Sequence, residues 1–500
     1  FYPTPNRDNG YDVIDYYAVD SRLGSLGDFV ECMIRAHERG IRIVVDLVVN
    51  HTSDQHPWFQ AARKDPDSKF RQFYVWSDTK PEGADDWIMF PGHQESTWTW
   101  DEEAGAYYNH RFYKHQPDLN ISNPAVRQEI LRIMGFWLEL GVSGFRIDAA
   151  PHLLQLHGDH GRPGGERLGY LTELRDFLSW RKGDAILLAE ADLPMDKIGE
   201  YFGDGDRMHM IFNFELNQGL FLALARGDAS SLAGAMKATS DIPETAHWAN
   251  FLRNHDELDL GELKEDELED VFADFAPEKG MRIYDRGIRR RLAPMLRNNA
   301  ERIALAHSLL FTLPGTPVLR YGDEIGMGDD LSLAERKAVR TPMQWSAAKN
   351  GGFSTADPDD LIRPVIDEGE WGYEQINVEA QRRDPDSLLN RIERMIRIRK
   401  DSPEFGRGEW RLLPIESDAV LAHAATGDRS TVVAVHNLSD QSQTVKLDLS
   451  ELEARCLEDL LNRDGNTITS DKPEIDLDPY GYRWLRVEPE DRSSTSASKE

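Results

Sequence analysis

Four strand-like runs in this chain lead into residues able to do acid–base or nucleophilic work. Asp46, Asn50 and His51 belong to the first, Arg146 and Asp148 end the second, Glu190 ends the third, and Asn254, His255 and Asp256 follow the fourth. If the runs are strands of a parallel barrel, their C-terminal ends converge on one face, where such folds build active sites. Three carboxylates on that face (Asp148, Glu190 and Asp256) suit glycoside cleavage, which needs a proton donor and a carboxylate on opposite sides of the scissile bond. Any one of these acids has a more ordinary reading, because a lone Asp at a strand end is most often a helix N-cap or an ion-pair partner.

The elements that would position them alternate. Ser25 with Asp28 three residues on approaches a capping box, Phe29, Met33 and Ala36 recur at helical spacing, and Gly40 stops the helix. Residues 41–49 then read as a strand buried on both faces. Asn123-Pro124 opens a second helix carrying Val126, Ile130, Met134 and Trp137, and Gly141 ends it before a strand at 142–147. Further strands are expected at 185–189, 208–214, 248–252 and 316–319, the last after a helix over 300–313. The fold class is α/β. Six strands stand where a closed (β/α)8 TIM barrel has eight, so the first two are expected to precede residue 1.

Two stretches break this rhythm. Residues 51–122 hold no amphipathic helix of the usual length but are rich in Trp, Tyr, Asp and Pro, which marks an inserted domain. From about 405 the pattern turns to short alternating strands, among them 431–435 and 445–447, bounded by Asn, Asp, Gly and Ser. The expected organisation is barrel at 1–50 and 123–404, insertion at 51–122, an all-β sandwich domain at 405–488 and a polar, disordered tail at 489–500.

Composition narrows the partners. A formal charge of −30 disfavours a polyanion, so no nucleic acid is expected, whereas a neutral sugar is compatible with it. No apolar run approaches the roughly 18–20 residues needed to span a bilayer, so no membrane is expected either. Cys32 and Cys456 fit no metal or redox spacing, which favours a reducing, cytoplasmic setting. The chain opens on Phe1-Tyr2-Pro3 without a Met, a charged n-region or an apolar h-region, and reads as a fragment.

The flanks of the polar residues carry a resemblance. Asp46-Leu47-Val48-Val49-Asn50-His51, Gly144-Phe145-Arg146-Ile147-Asp148-Ala149, Leu188-Ala189-Glu190 and Arg253-Asn254-His255-Asp256 resemble, in order, the four hallmark segments of the α-amylase superfamily. Gln116-Pro117-Asp118-Leu119-Asn120 resembles the further segment of its oligo-1,6-glucosidase and trehalose synthase branch. The similarity runs from Asp8 to about residue 490. It implies a retaining mechanism in which Asp148 is the nucleophile, Glu190 the general acid/base and Asp256 the carboxylate that grips sugar hydroxyls. Arg146 would hold Asp148 ionised, while Glu190 needs a raised pKa. His51 and His255 would bind hydroxyls of the same glucose, and Tyr11, in Asp8-Asn9-Gly10-Tyr11-Asp12, would stack on it. Asp8 and Arg340 would close the pocket behind a non-reducing glucose. A structural calcium is implied at Asn50, Asp118 and the carbonyl of Leu153, although His152-Leu153-Leu154-Gln155 lacks the acid that the family more often has there. No cofactor is required for the chemistry.

Within the superfamily the trehalose synthase branch is most similar, through Thr52-Ser53-Asp54-Gln55-His56-Pro57-Trp58-Phe59, Phe202-Gly203-Asp204-Gly205-Asp206, Gly287-Ile288-Arg289-Arg290-Arg291-Leu292-Ala293-Pro294 and Gly322-Asp323-Glu324-Ile325-Gly326-Met327-Gly328-Asp329. That implies a small α-glucoside as substrate and isomerisation of maltose to trehalose. The Gly-rich stretch at 156–165 departs from the branch on the acceptor side and bears on the isomerase activity, not on cleavage. Two other readings stand beside this one: an α-glucosidase or amylase-type hydrolase with the same three acids, and a non-catalytic carbohydrate-binding relative, which would typically have lost them.

Overall fold

Four of the expected strands pair in parallel and in chain order: β1 (Val44–Leu47), β2 (Gly144–Ile147), β3 (Ile186–Ala189) and β4 (Met210–Phe212). The other two, β5 (His247–Phe251) and β6 (Thr316–Val318), pair in parallel with each other. The structure is a computed structural model and describes all residues except 87, 158–162, 429, 453, 463–471 and 490–500. Residues 490–500 of the expected disordered tail and the centre of the 156–165 stretch therefore lie outside the described residues, while Pro489, expected in the tail, ends a strand. By compactness the chain divides into Phe1–Phe212 with Ile242–His247, and Asn213–Asp241 with Trp248–Glu500.

In the first unit each strand is shorter than its apolar run: β2 and β3 lose residues only at their N-terminal ends and keep the ends that lead to Asp148 and Glu190. Helix α1 (Leu26–Glu38) precedes β1. Its Ser25 N-cap and Asp28 form both bonds of a capping box, satisfying two otherwise orphaned N–H groups. Helix α2 (Pro124–Glu139) starts at an Asn123 cap with Pro at its first turn and buries Val126, Ile130, Ile133, Met134 and Trp137. Trp137 also donates from Nε1 to the Tyr16 carbonyl at 2.8 Å, tying the helix to the segment before β1. At Gly144 the backbone of β3 comes so close that a Cβ would sit 2.3 Å from the Ile186 carbonyl oxygen, so a side chain there would force the strands apart.

The insertion holds one eight-residue helix, Pro57–Lys64, and a three-stranded antiparallel sheet with Ala106–Asn109 between Trp76–Ser77 and Trp98–Asp101. Aromatic rings fill it: Phe59 packs on Tyr74, Trp76 and Tyr108. It returns to β1 through backbone bonds from Leu119 N to the Asn50 carbonyl (2.8 Å) and from Thr52 N to the Pro117 carbonyl (3.1 Å). The QPDLN segment is thereby pinned beside the strand end.

In the second unit, α3 (Phe214–Arg226) begins at Asn213, whose side chain accepts from Leu216 N at 3.0 Å. The expected strand at 208–214 therefore ends at Phe212. The helix is buried from Leu216 to Leu224, so it has no solvent face to give its sequence a helical period. Helix α4 (Ala300–Thr312), capped by Asn299, is buried along its length and packs on the C-terminal domain. That domain is a five-stranded antiparallel sheet in the order Glu409–Leu412, Val420–Thr426, Thr431–Asn437, Tyr482–Pro489, Ala454–Asp459. A two-stranded sheet, Gln443–Lys446 with Glu474–Leu477, shares a core with it through Val445, Leu447, Ile475, Val433 and Leu485. No helix among the described residues is long and apolar enough to cross a membrane.

Candidate active site

In the first unit one guanidinium gathers three carboxylates. Arg146, on β2, donates from Nη1 to Asp46 Oδ1 (2.6 Å) and Asp148 Oδ1 (2.8 Å), while its Nη2 lies 2.7 Å from Glu190 Oε1. Asp46 stands on β1, Asp148 follows β2 and Glu190 follows β3, so three adjacent parallel strands each supply one acid. Burial alone would lower the arginine's pKa; Glu190, Tyr11, Asp46 and Asp148 hold it well above its ordinary value instead. One cation among three acids leaves an excess of negative charge, the condition under which a carboxyl group keeps a proton for donation.

The residue after Asp148 helps to place Glu190. Ala149 adopts φ 47°, a left-handed conformation costing about 1 kcal/mol for a residue with a Cβ. In that conformation its N–H donates to Glu190 Oε2 at 3.2 Å. Strain and hydrogen bond together mark a backbone bent to serve the site.

The N-terminal loop brings Tyr11 to the same cluster. Asn9 (φ 51°) and Gly10 (φ 101°) form the centre of a tight turn closed by Tyr11 N to the Asp8 carbonyl at 3.0 Å, as an Asn-Gly pair favours. Buried Asp12 anchors the loop by accepting from Thr4 Oγ1 (2.7 Å), Arg7 N (3.1 Å) and Asp8 N (3.3 Å). Tyr11 Oη lies 3.4 Å from both Asp46 Oδ1 and Arg146 Nη1. Asp8 accepts from Gln116 Nε2 of the inserted segment at 3.1 Å. His51 is buried, which pushes its pKa down and keeps it neutral. Its Nε2 meets the Tyr11 carbonyl at 2.9 Å and its Nδ1 meets Asn50 Nδ2 at 3.2 Å. Both ring nitrogens are thus engaged by the protein.

The residues expected to hold calcium fit it poorly. Asn50, Asp118 and Leu153 supply one carboxylate between them, and its two oxygens already accept from Asn50 Nδ2 (3.2 Å) and Arg111 N (2.9 Å). Burial pushes Asp118 up to about 7, against Arg111 and Asn50. Calcium prefers six to eight hard oxygens and more than one carboxylate, and among the described residues no group of three His, Cys, Asp or Glu side chains is placed to hold a metal.

The second unit holds the remaining acid. After β5, Asn254 Oδ1 accepts from Asp256 N at 2.9 Å, an Asx turn that folds the segment back. Buried Arg253 braces it, donating to the carbonyls of Arg290 (2.9 Å) and Asp256 (2.6 Å). Asp256 Oδ1 receives two guanidinium groups, Arg336 Nη1 at 2.7 Å and Arg340 Nη2 at 2.5 Å. His255 Nε2 lies 3.3 Å from Oδ2. Burial would raise this carboxyl, but Arg336, His255 and Arg340 hold it well below the usual carboxylate range. Arg340, expected to face Asp8, also donates from Nε to the His255 carbonyl at 2.7 Å.

Reasoning from the sequence passed over Arg336, Asp12, Gln116 and Ala149. Arg336 offered one signal, its place four residues before Arg340; Ala149 offered none.

Residues 1–269 and 287–408 match the family model for the α-amylase catalytic domain, and 430–486 match a sucrose hydrolase-like C-terminal domain. The chain belongs to the α-amylase family. It is 41% identical over 501 residues to the trehalose synthase of Pimelobacter sp. (strain R48), covering 97% of this chain and 87% of that relative. It is 43% identical over 458 residues to the trehalose synthase/amylase TreS of Mycobacterium tuberculosis (strain ATCC 25618 / H37Rv), covering 90% and 76%. Among solved structures it resembles the α-amylase from H. orenii, with a TM-score of 0.77 and 25% identity over 97% of this chain and 88% of that one.

Proposed function

We propose that the chain is a retaining α-glucosyl-transferring enzyme that isomerises maltose to trehalose. The observation that carries the chemistry is the Arg146 fork, which bonds Asp148 and Glu190 through its two Nη atoms at the ends of adjacent strands. In the first step an Asp148 oxygen attacks the anomeric carbon of the non-reducing glucose while Glu190 gives its proton to the departing glycosidic oxygen. The products are a covalent glucosyl-enzyme and free glucose. In the second, Glu190 takes the proton from the anomeric hydroxyl of that glucose, whose oxygen displaces Asp148 to form the 1,1-linkage. Asp256 grips hydroxyls of the reacting ring, and Tyr11 offers its ring to the sugar's C–H face. Arg146 keeps Asp148 ionised while it waits.

Identity above 40% to trehalose synthases over at least nine-tenths of the chain supports isomerisation over hydrolysis. Hydrolysis is the second reading, favoured by the departure at 156–165 and by the double name, synthase/amylase, of the mycobacterial relative. Both share the first step and differ in whether glucose or water takes the glucosyl group. Incubation with maltose and chromatographic separation of products decides between them. Trehalose exceeding net glucose supports the isomerase, and glucose alone overturns it. Because Asn50, Asp118 and Leu153 fit calcium poorly, chelation is expected to leave the melting temperature unchanged.

A further inference from the structure

Asp256 is held asymmetrically. Arg336 and Arg340 both bind Oδ1, whereas Oδ2 has His255 Nε2 at 3.3 Å. The backbone that delivers Arg336 is strained to do so. Glu335 sits at φ 48° and is tied by Tyr284 Oη to its Oε2 at 2.9 Å, and Tyr284 itself has φ 55°. The short 3-10 segment Glu335–Val339 then carries Arg336 and Arg340 to the same carboxylate oxygen. Two left-handed residues held by a hydrogen bond are a costly way to place a side chain that only fills space.

We infer that Arg336 is a positioning residue for Asp256: with Arg340 it saturates Oδ1 and leaves Oδ2, beside His255, as the oxygen that takes a sugar hydroxyl. The inference rests on the reading of Asp256 as the carboxylate that grips the reacting glucose. A carboxylate held through Oδ1 by two guanidiniums and beside His255 at Oδ2 is fixed in orientation before substrate arrives. Pre-set geometry of this kind costs no reorganisation in the transition state. Two guanidiniums also keep the group charged at any pH where the enzyme works. Other charged groups face it as well. Glu257, buried and pushed up to about 7 by burial, lies 4.0 Å from Arg336 Nε and adds repulsion, and Arg253 binds the Asp256 carbonyl. Removing Arg336 takes away one of two cations and leaves the neighbouring acid in place, so the Asp256 carboxyl must move up.

The test compares wild type with Arg336→Gln and Arg336→Lys, using an aryl α-glucoside across pH. Arg336→Gln should lower kcat/KM by about 10²-fold and raise the pH at which the Asp256 carboxyl protonates by about one unit. Arg336→Lys should restore most of the low protonation pH of Asp256 but not the rate, because an ammonium supplies charge without the planar fork. A Gln variant that is slower with Asp256 protonation unmoved, or within threefold of wild type, overturns the inference. Difference infrared spectra, with Asp256→Asn to identify the Asp256 carboxyl band, read its protonation without turnover. They separate failure here from failure of the isomerase reading, since a hydrolytic or inactive wild type must still show Asp256 ionised and the Gln variant protonating at higher pH.

Discussion

The two polar clusters are built on opposite charge plans. Around Arg146 three carboxylates share one guanidinium, and around Asp256 two guanidiniums share one carboxylate oxygen. The first arrangement is short of positive charge, with one cation for the three acids Asp46, Asp148 and Glu190. The second is saturated, so Asp256 keeps its charge and cannot exchange a proton near neutral pH. Under the proposed function, Asp148 is thereby set to covalent work in one place and Asp256 to fixed electrostatics in the other. What differs is the count of arginines within hydrogen-bond reach, which no single motif contains.

Replacing the acids one at a time breaks this contrast most sharply. Asp148→Asn should cost the most, at least about 10⁴-fold in turnover of maltose and of an aryl α-glucoside alike, because the nucleophile is lost whatever the leaving group. Glu190→Gln should lower maltose turnover by about 10³-fold. Its burst of aryl glucoside cleavage should nonetheless survive, since a good leaving group needs little protonation. Asp256→Asn should fall by about 10²-fold on both substrates, because it removes neither nucleophile nor proton donor. Steady-state and burst kinetics on the two substrates check all three; selective rescue of Asp256→Asn by the aryl leaving group would erase the distinction between the clusters.

The smallest effect lies outside both. His423, on the strand Val420–Thr426, is wholly buried, meets the Thr312 carbonyl of α4 through Nε2 at 2.9 Å, and is pushed down to about 4 by burial. Its neighbour His436 meets Ser308 Oγ of α4 at 2.9 Å and is likewise held neutral. A histidine with a lowered folded pKa leaves stability untouched above its unfolded value near 6.5 and erodes it as pH falls from there towards 4. The loss for His423 is of order 3 kcal/mol at the acid end. Denaturant unfolding at several pH values should show a shallower acid loss for His423→Asn than for wild type. Parallel curves would remove the histidine from the account.

Much of the scaffold was legible because its signals are local. The Ser25–Asp28 box, the Asn123-Pro124 start and all six parallel strands follow from a few neighbouring residues each. The acids were legible for a similar reason, standing at or just beyond strand ends with recurring flanks. What stayed hidden is long-range or lacks a side-chain signature. Helix α3 has no period because both its sides are covered. Arg336 lies 80 residues from its partner, and Ala149 acts through its backbone. His51 shows the converse, since its flanks name the residue but not its hydrogen bonds, which come from the Tyr11 carbonyl and Asn50.

The assignment of covalent work to the Arg146 cluster is tested most directly by trapping the intermediate. A fluorinated α-glucosyl fluoride forms the glucosyl-enzyme faster than it is released, and peptide mass spectrometry of the labelled protein locates the attachment. The account predicts one glucosyl adduct, on the peptide containing Asp148, present in wild type and absent in Asp148→Asn. An adduct on Asp256 or Glu190, or an undiminished adduct in Asp148→Asn, would contradict it.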